Sequence, residues 1–318
     1  MKNSLLLMDF NNILYRAMEL TNLSLTWKGM STNGIFGFIN QFCNCVNAIK
    51  PKYVIVCNDR KPYDRTKLFP EYKADRAIVK DEKRIKEVQF NIEKTRELLD
   101  LLNIEYWSEK GLEADDLISL TVKKYHNDFR RIVIYSGDSD LNQLLKHHNV
   151  CLRRKVKGKY ILYSIVNFKE EYENISIKQY IKYLAIVGTH NSIPGISGLG
   201  PVKALKIVKD EELLNACYQE HGDKLRLYER LIKLPFRTNT VRTPELKEAS
   251  CNRFKFIRFL SGLGIRPTAP METTMRILEG GWSVHIKSIH YDNIELKNGE
   301  QIREIVRRGI IWLMQLSQ

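Results

Sequence analysis

No apolar run in this 318-residue chain approaches the length of a membrane span, and its longer apolar segments are interrupted by charge. None of its six cysteines sits in a CxxC pair, and no histidine spacing matches a zinc site. There is no internal repeat and no low-complexity tail. The opening MKNSLLLMDFNN has neither a long apolar core nor a small-residue cleavage site, which argues against a secretion signal. These absences leave a globular chain of one large domain or two modest ones, expected in a reducing, cytoplasmic compartment. Acidic charge is in deficit: Lys and Arg number 51 against 37 Asp and Glu, for a net +14 and a pI near 9.4. A polyanion is the partner such a balance suggests, nucleic acid first. A lysine-rich surface kept for solubility gives the same balance, so charge alone does not decide.

The first half alternates short β-like runs with longer helical patterns. Strands are predicted at Leu5–Met8, Tyr53–Cys57 and Arg131–Tyr135, with a further short run at Ile104–Trp107. Helices are predicted over Ser31–Ile49, Lys83–Leu102 and Glu113–Tyr125, and Cys151–Tyr163 reads as a basic β-hairpin around Gly158. This βα alternation implies an α/β fold, a parallel sheet with flanking helices. After about Asn167 the pattern becomes helical, with a Gly-rich turn at Ile193–Ala204. The soft boundary divides the chain into 1–185 and 186–318. Segments 235–250 and 264–274, rich in Pro and Thr, read as loops.

The placing of the acids is the informative feature. Asp9 ends the first strand, Asp59 follows the second, and Asp138 and Asp140 follow the third. Glu113, Asp115 and Asp116 open a helix. In an open parallel sheet the strand carboxyl ends share one edge, where ligands bind, so these acids should converge. Converging carboxylates repel unless a cation neutralises them, and oxygen-only ligands suit Mg²⁺ or Mn²⁺. Glu113 and Asp116, three apart, should share one face of their helix, with Asp115 pointing elsewhere or reaching a neighbouring ligand. Any one of these acids alone reads as readily as a helix cap. From Arg60 to Lys86 ten Lys or Arg stand against five Asp or Glu, a basic segment beside an acidic cluster.

Six segments in order, MDFNNILYRA (8–17), NGIFGF (33–38), NDRKPYDRTKLFPEYKADR (58–76), GLEADD (111–116), SGDSDLNQL (136–144) and IPGISGLGPVKA (193–204), carry a resemblance. The chain resembles the 5′ nucleases: flap endonucleases, phage 5′–3′ exonucleases and the 5′-nuclease domain of bacterial DNA polymerase I. The resemblance implies a PIN-like catalytic domain with a basic helical arch near 60–95, then a helical DNA-binding region. It also implies Asp9, Asp59, Glu113, Asp115, Asp116, Asp138 and Asp140 as metal ligands. Arg65, Lys73 and Arg76 fall on basic positions of the arch, with Lys73, Arg76 and Asp116 as the catalytic group. Tyr72 falls where an aromatic could stack on the terminal base. The Gly-rich turn resembles a helix–three-turn–helix, in which Gly195, Gly198 and Gly200 would let backbone N–H groups face a phosphate. Lys203 and Lys206 would hold the duplex backbone, and turn carbonyls would bind K⁺.

One stretch departs from the family pattern. Gly188-Thr189-His190-Asn191-Ser192-Ile193-Pro194-Gly195 is one residue short and lacks two aspartates that help hold the family's second metal. An intact first site and a weakened second, built on Asp138 and Asp140, is therefore expected. Thr189, His190 or Asn191 could add a neutral ligand, though His190 reads more simply as a surface turn residue. The leading reading is a monomeric hydrolase acting near DNA 5′ ends, flaps, nicks and junctions, in replication or repair. A structure-specific DNA binder with weakened catalysis is the second reading. It is disfavoured because a pure binder gains by losing acids that repel phosphate. A ribonuclease of the wider PIN-like group is the third, disfavoured by the duplex-binding turn, although RNA in a hybrid stays open as substrate.

Overall fold

Four consecutive apolar residues, Leu5 to Met8, occupy the middle of the sheet because both of its faces are covered. Their strand, β1 (Lys2–Asp9), leads into helix α1 (Phe10–Met18), a small hairpin of β2 (Thr26–Trp27) and β3 (Met30–Ser31), and helix α2 (Asn33–Ile49). Strand β4 (Tyr53–Asn58), helix α3 (Glu82–Leu101), strand β5 (Glu105–Ser108), helix α4 (Ala114–Tyr125) and strand β6 (Phe129–Tyr135) follow. The hairpin of β7 (Val150–Val156) and β8 (Lys159–Tyr163) turns at Gly158, which has φ +83°. Helices α5 (Ile165–Glu171), α6 (Ile177–Val187), α7 (Pro201–Lys209), α8 (Glu211–Ile232), α9 (Arg253–Gly262) and α10 (Ala269–Leu278) complete the order. This computed structural model describes residues 2–19, 25–74, 81–189, 193–237 and 241–279. All of them fall in the compact unit Met1–Gly281, and the unit Trp282–Gln318 lies outside them.

The sheet order is β5-β4-β1-β6-β7-β8, parallel except for β8. Side chains alternate across it. Leu5, Leu7, Ile55, Cys57, Ile132 and Ile134 face the core under α4, α6 and α8. Leu6, Met8, Val54, Val56 and Val133 face the core under α1, α2, α9 and α10. The chain leaves β1 toward β4 on one side and reaches β6 on the other, so β1 is the topological switch point. Its last residue, Asp9, pairs in register with Cys57 of β4, and Met8 pairs with Tyr135 of β6. The turns after all three strands therefore meet at one edge. The described cysteines are all free thiols.

The expected strands are present, with ends within two residues except that β1 begins three residues earlier, at Lys2. Three expectations change. Residues 264–274 are not a loop: α10 starts at Ala269 with Pro270 in its first turn, where a missing N–H costs nothing. Met271, Thr274, Met275 and Leu278 then bury one face of it, and Thr274 Oγ1 donates to Asn47 Oδ1 of α2 at 2.9 Å. Ser31 belongs to β3 rather than to the helix that follows. The basic segment after β4 is not a helix in its first part: Asp64–Lys67 is one 3-10 turn, and helix resumes at Glu82 behind the Asp81 cap. Arg76 lies outside the described residues.

The NGIFGF segment has a packing explanation. A Cβ on Gly37 would stand 2.2 Å from Ala17 Cβ, so glycine is what lets α1 and α2 approach. Gly37→Ala should lower the unfolding free energy by about 1–3 kcal/mol, the usual range for overpacking, as read from urea denaturation. An unchanged midpoint would show that the helices can part without cost.

Candidate active site

Three of the acids at the strand edge, Asp9, Asp59 and Asp138, are anchored by hydrogen bonds before they meet their neighbours. Asp9 caps α1, its Oδ1 accepting from Asn12 N at 3.1 Å, while its Oδ2 accepts from Ser136 Oγ at 3.1 Å. Asp138 caps the 3-10 helix Ser139–Lys146, its Oδ1 accepting from Asp140 N at 2.9 Å. Ser136 Oγ also accepts from Asp138 N at 3.1 Å, so one hydroxyl ties the first and third strand turns together. Asp59 accepts from Ala114 N at 2.8 Å and from Tyr63 Oη at 3.1 Å, joining the second turn to the start of α4. Capping and clustering are thus the same residues doing two jobs.

Electrostatics show which carboxylates face one another. Burial, then the charges of Asp59 and Asp138, pushes the Asp9 carboxyl up to about 7. Asp115 is raised well above the usual carboxylate range by burial and then by Asp138, Asp9 and Asp140. Asp140 is pushed up to about 7 by burial and Asp138, with Lys73 and Arg65 opposing. Asp115 Oδ1 is buried without a hydrogen-bond partner. Asp115, Asp138 and Asp140 line one cavity with Lys73, Glu113 and Thr189.

Glu113 and Asp116 share a face of α4, as their spacing implies, and that face meets Arg65. Asp115 joins the cluster; Asp116 turns away from it and is 0 % exposed. Its Oδ1 accepts from Arg65 at 2.9 Å and from Phe236 N at 2.8 Å. Its Oδ2 accepts from Arg65 at 2.5 Å and from Glu113 N at 3.2 Å. Both Asp116 oxygens are thus engaged by Arg65 and backbone N–H groups, and Asp116 is not among the residues lining the cavity. Arg65, expected on the DNA-facing arch, is 2 % exposed and also donates from Nε to Leu231 O at 2.8 Å. Burial opposes its charge, but Asp116 and Glu113 outweigh that and hold the guanidinium more firmly charged than usual. Tyr72 is likewise buried, with its hydroxyl on Glu113 Oε2 at 2.7 Å, so its ring is not offered to a base. Lys73 is ion-paired with Glu113 at the cavity wall.

Three groups that sequence reasoning passed over matter here. Ser136 carries the bridge just described; the Ser-x-Asp spacing was its signal. Gln143 donates to Ile232 O at 3.0 Å and accepts from Leu234 N at 3.1 Å, fixing the end of α8 beside the site. Gly188 has φ +89° and packs against Gly195, φ +72°: a Cβ on either would come within 2.5 Å of backbone. Thr189 N donates to Ile193 O at 2.9 Å across this turn, and residues 190–192, including His190 and Asn191, lie outside the described residues. Gly198 also has positive φ, whereas Gly200 is extended at φ −73° and simply precedes α7. Lys203 and Lys206 are exposed on α7, with Lys203 Nζ donating to Gly198 O at 3.1 Å.

Among the described residues no group of three or more Asp, Glu, His or Cys side chains is already drawn together to hold a metal ion. The cluster is an open set of hard oxygen donors with excess negative charge and an unpartnered buried oxygen. That chemistry would suit a hard divalent cation.

Comparison with known proteins gives a consistent picture. A family model described as the 5′–3′ exonuclease N-terminal resolvase-like domain matches residues 4–173. DNA polymerase I of Caldicellulosiruptor bescii is 34 % identical over 227 residues, 70 % of this chain but only 26 % of that protein. A 5′–3′ exonuclease of Bacillus subtilis is 32 % identical over 242 residues, covering 73 % of this chain and 75 % of its own length. Among solved structures, the T5 D15 protein co-crystallised with metal ions has a TM-score of 0.60 at 17 % identity, covering 87 % of this chain and 99 % of that one. Flap endonuclease-1 from Methanococcus jannaschii also has a TM-score of 0.60, at 19 % identity, with 87 % and 92 % covered. These structural likenesses carry the fold.

The raised carboxyls make a pH prediction. In the folded state Asp9 and Asp140 keep their protons up to about pH 7, against 3.8 for an ordinary Asp. Their contribution is full below about pH 4 and is lost as pH rises through about 7. Asp9→Asn, which keeps the cap, should therefore gain thermal stability over wild type as pH rises across that interval in chelator. Scanning calorimetry reads the difference, and a gap that narrows with rising pH contradicts the assigned repulsion.

Proposed function

The chain belongs to the 5′–3′ exonuclease family, and from that premise we propose that it is a metal-dependent 5′ nuclease hydrolysing phosphodiester bonds of DNA. The observation that carries the proposal is the carboxylate cluster of Asp9, Asp115, Asp138 and Asp140, at the sheet's switch-point edge, with Lys73 in its wall. A divalent cation bound there would neutralise the acids and make a water more acidic. Lys73 would then bind the scissile phosphate and steady its developing charge. Arg76, on the same basic segment, would assist. Glu113 and Asp59 would orient and complete the acidic shell.

The substrate reading is DNA with 5′ ends, flaps, nicks or junctions, cut during replication or repair in the cytoplasm by a monomer. Among the described residues no helix is long and apolar enough to cross a membrane. The turn around Gly188, Gly195 and Gly198 would act as a helix–three-turn–helix, with the exposed Lys203 and Lys206 on the duplex backbone and K⁺ at the turn carbonyls. Residues 1–185 would carry the chemistry and 186–318 the duplex contacts. Thr189 stands beside Asp138 and Asp140 in the cavity wall where an acid would strengthen a second cation site. We therefore expect one firm Mg²⁺ site and a weaker second that favours Mn²⁺.

Cleavage of a 5′-labelled flap and a nicked duplex, with Mg²⁺ or Mn²⁺, tests this. Asp115→Asn should lower the rate by at least about 100-fold while leaving the fold intact. Asp116→Asn should instead destabilise the protein by about 3–5 kcal/mol, the cost of breaking a buried ion pair, as read by denaturation. Binding of the flap without cleavage under either metal would favour a structure-specific DNA-binding protein instead.

A further inference from the structure

Glu113 accepts from three donors at once, and they are not equally committed. Arg65 lies 3.2 Å from Oε2 but spends its guanidinium on both oxygens of Asp116 and on Leu231 O. Tyr72 is buried, its hydroxyl fixed to the same Oε2. Lys73 holds Oε1 from a flexible four-carbon stem whose side chain remains 13 % exposed at the cavity, its ammonium 5.3 Å from the ring centroids of Tyr63 and Tyr72. Its backbone has φ +55°, a left-handed conformation that a lysine adopts when its surroundings impose it. Its charge also draws down the carboxyls of Asp115 and Asp140. The ammonium thus occupies the wall of an over-acidic cavity where positive charge is most needed.

We propose that Lys73 is an exchangeable internal counter-cation. It neutralises Glu113 and its neighbours in the metal-free protein, and it leaves Glu113 when a divalent cation takes over that task. The released ammonium becomes available to a substrate phosphate. An ammonium and a dication on one carboxylate repel each other, and Lys73 carries its charge on a flexible stem held by one ion pair and by the rings of Tyr63 and Tyr72. Arg65 and Tyr72 stay and keep Glu113 in place. Phosphate capture by Lys73 is thereby made to follow metal loading. The inference rests on the metal-dependent reading above.

The test uses wild-type protein first. Amine acylation of Lys73 is quantified by mass spectrometry with and without Mg²⁺, with Lys67, whose side chain is 76 % exposed, as internal reference. Labelling of Lys73 should rise severalfold with Mg²⁺ while that of Lys67 stays level. Calorimetric titration of Mn²⁺ should show Lys73→Met binding on the order of tenfold more tightly than wild type, the scale of removing one neighbouring unit charge. Metal binding with unchanged labelling, or no tightening in a folded Lys73→Met, overturns the exchange alone. A wild type that binds neither cation overturns the exchange and the metal-dependent reading together.

Discussion

Negative charge gathered at one edge of the sheet, beyond what nearby cations balance, is the constraint around which this molecule is built. A parallel sheet brings the ends of β1, β4 and β6 together, and each turn there carries an aspartate. Burial and mutual repulsion lift the Asp9 and Asp140 carboxyls to about 7 and raise Asp115 well above the usual carboxylate range. The fold tolerates this because every one of these turns is also fixed by its own backbone hydrogen bonds. Capping N–H groups, the Ser136 hydroxyl and the amide of Ala114 hold the acids where repulsion would spread them.

Two cations divide the remaining work. Arg65 is permanent: buried, bidentate, and joined to the end of α8 through Leu231 O. Its partner Asp116 reaches the same segment through Phe236 N, and Gln143 adds two further bonds. The start of α4 and the end of α8, far apart in sequence, are one joint. Lys73 is less deeply committed, with one ion pair and two aromatic contacts at the cavity wall. The contrast follows from side-chain chemistry, since a planar fork suits a fixed carboxylate and a flexible ammonium suits exchange.

Much of this was legible in the sequence. The strands announce themselves as apolar runs ending in acid, and the parallel order makes those ends meet. Asp9, Asp138 and Asp140 needed only that argument. The face of α4 was not legible, because i, i+3 spacing says Glu113 and Asp116 share a side without saying what that side meets. It meets Arg65, whose arrival depends on how residues 60–74 fold down, and nothing local in that segment reveals it. A basic run reads as a solvent-facing arch until burial is known. At α10 composition misled: Pro270 and the threonines suggested a loop, but proline in a first turn starts helices, and the apolar spacing of Met271, Met275 and Leu278 was the better guide.

The Arg65–Asp116 pair has a consequence for how such a chain can change over time. Either residue replaced alone leaves a charge stranded in the core, and replacing both by apolar groups removes that charge but still strips partners from Leu231 O, Phe236 N and Glu113. Drift at these positions therefore passes through a poorly folded intermediate or happens at both sites at once. The pair is inherited as a single character, written in two places fifty-one residues apart.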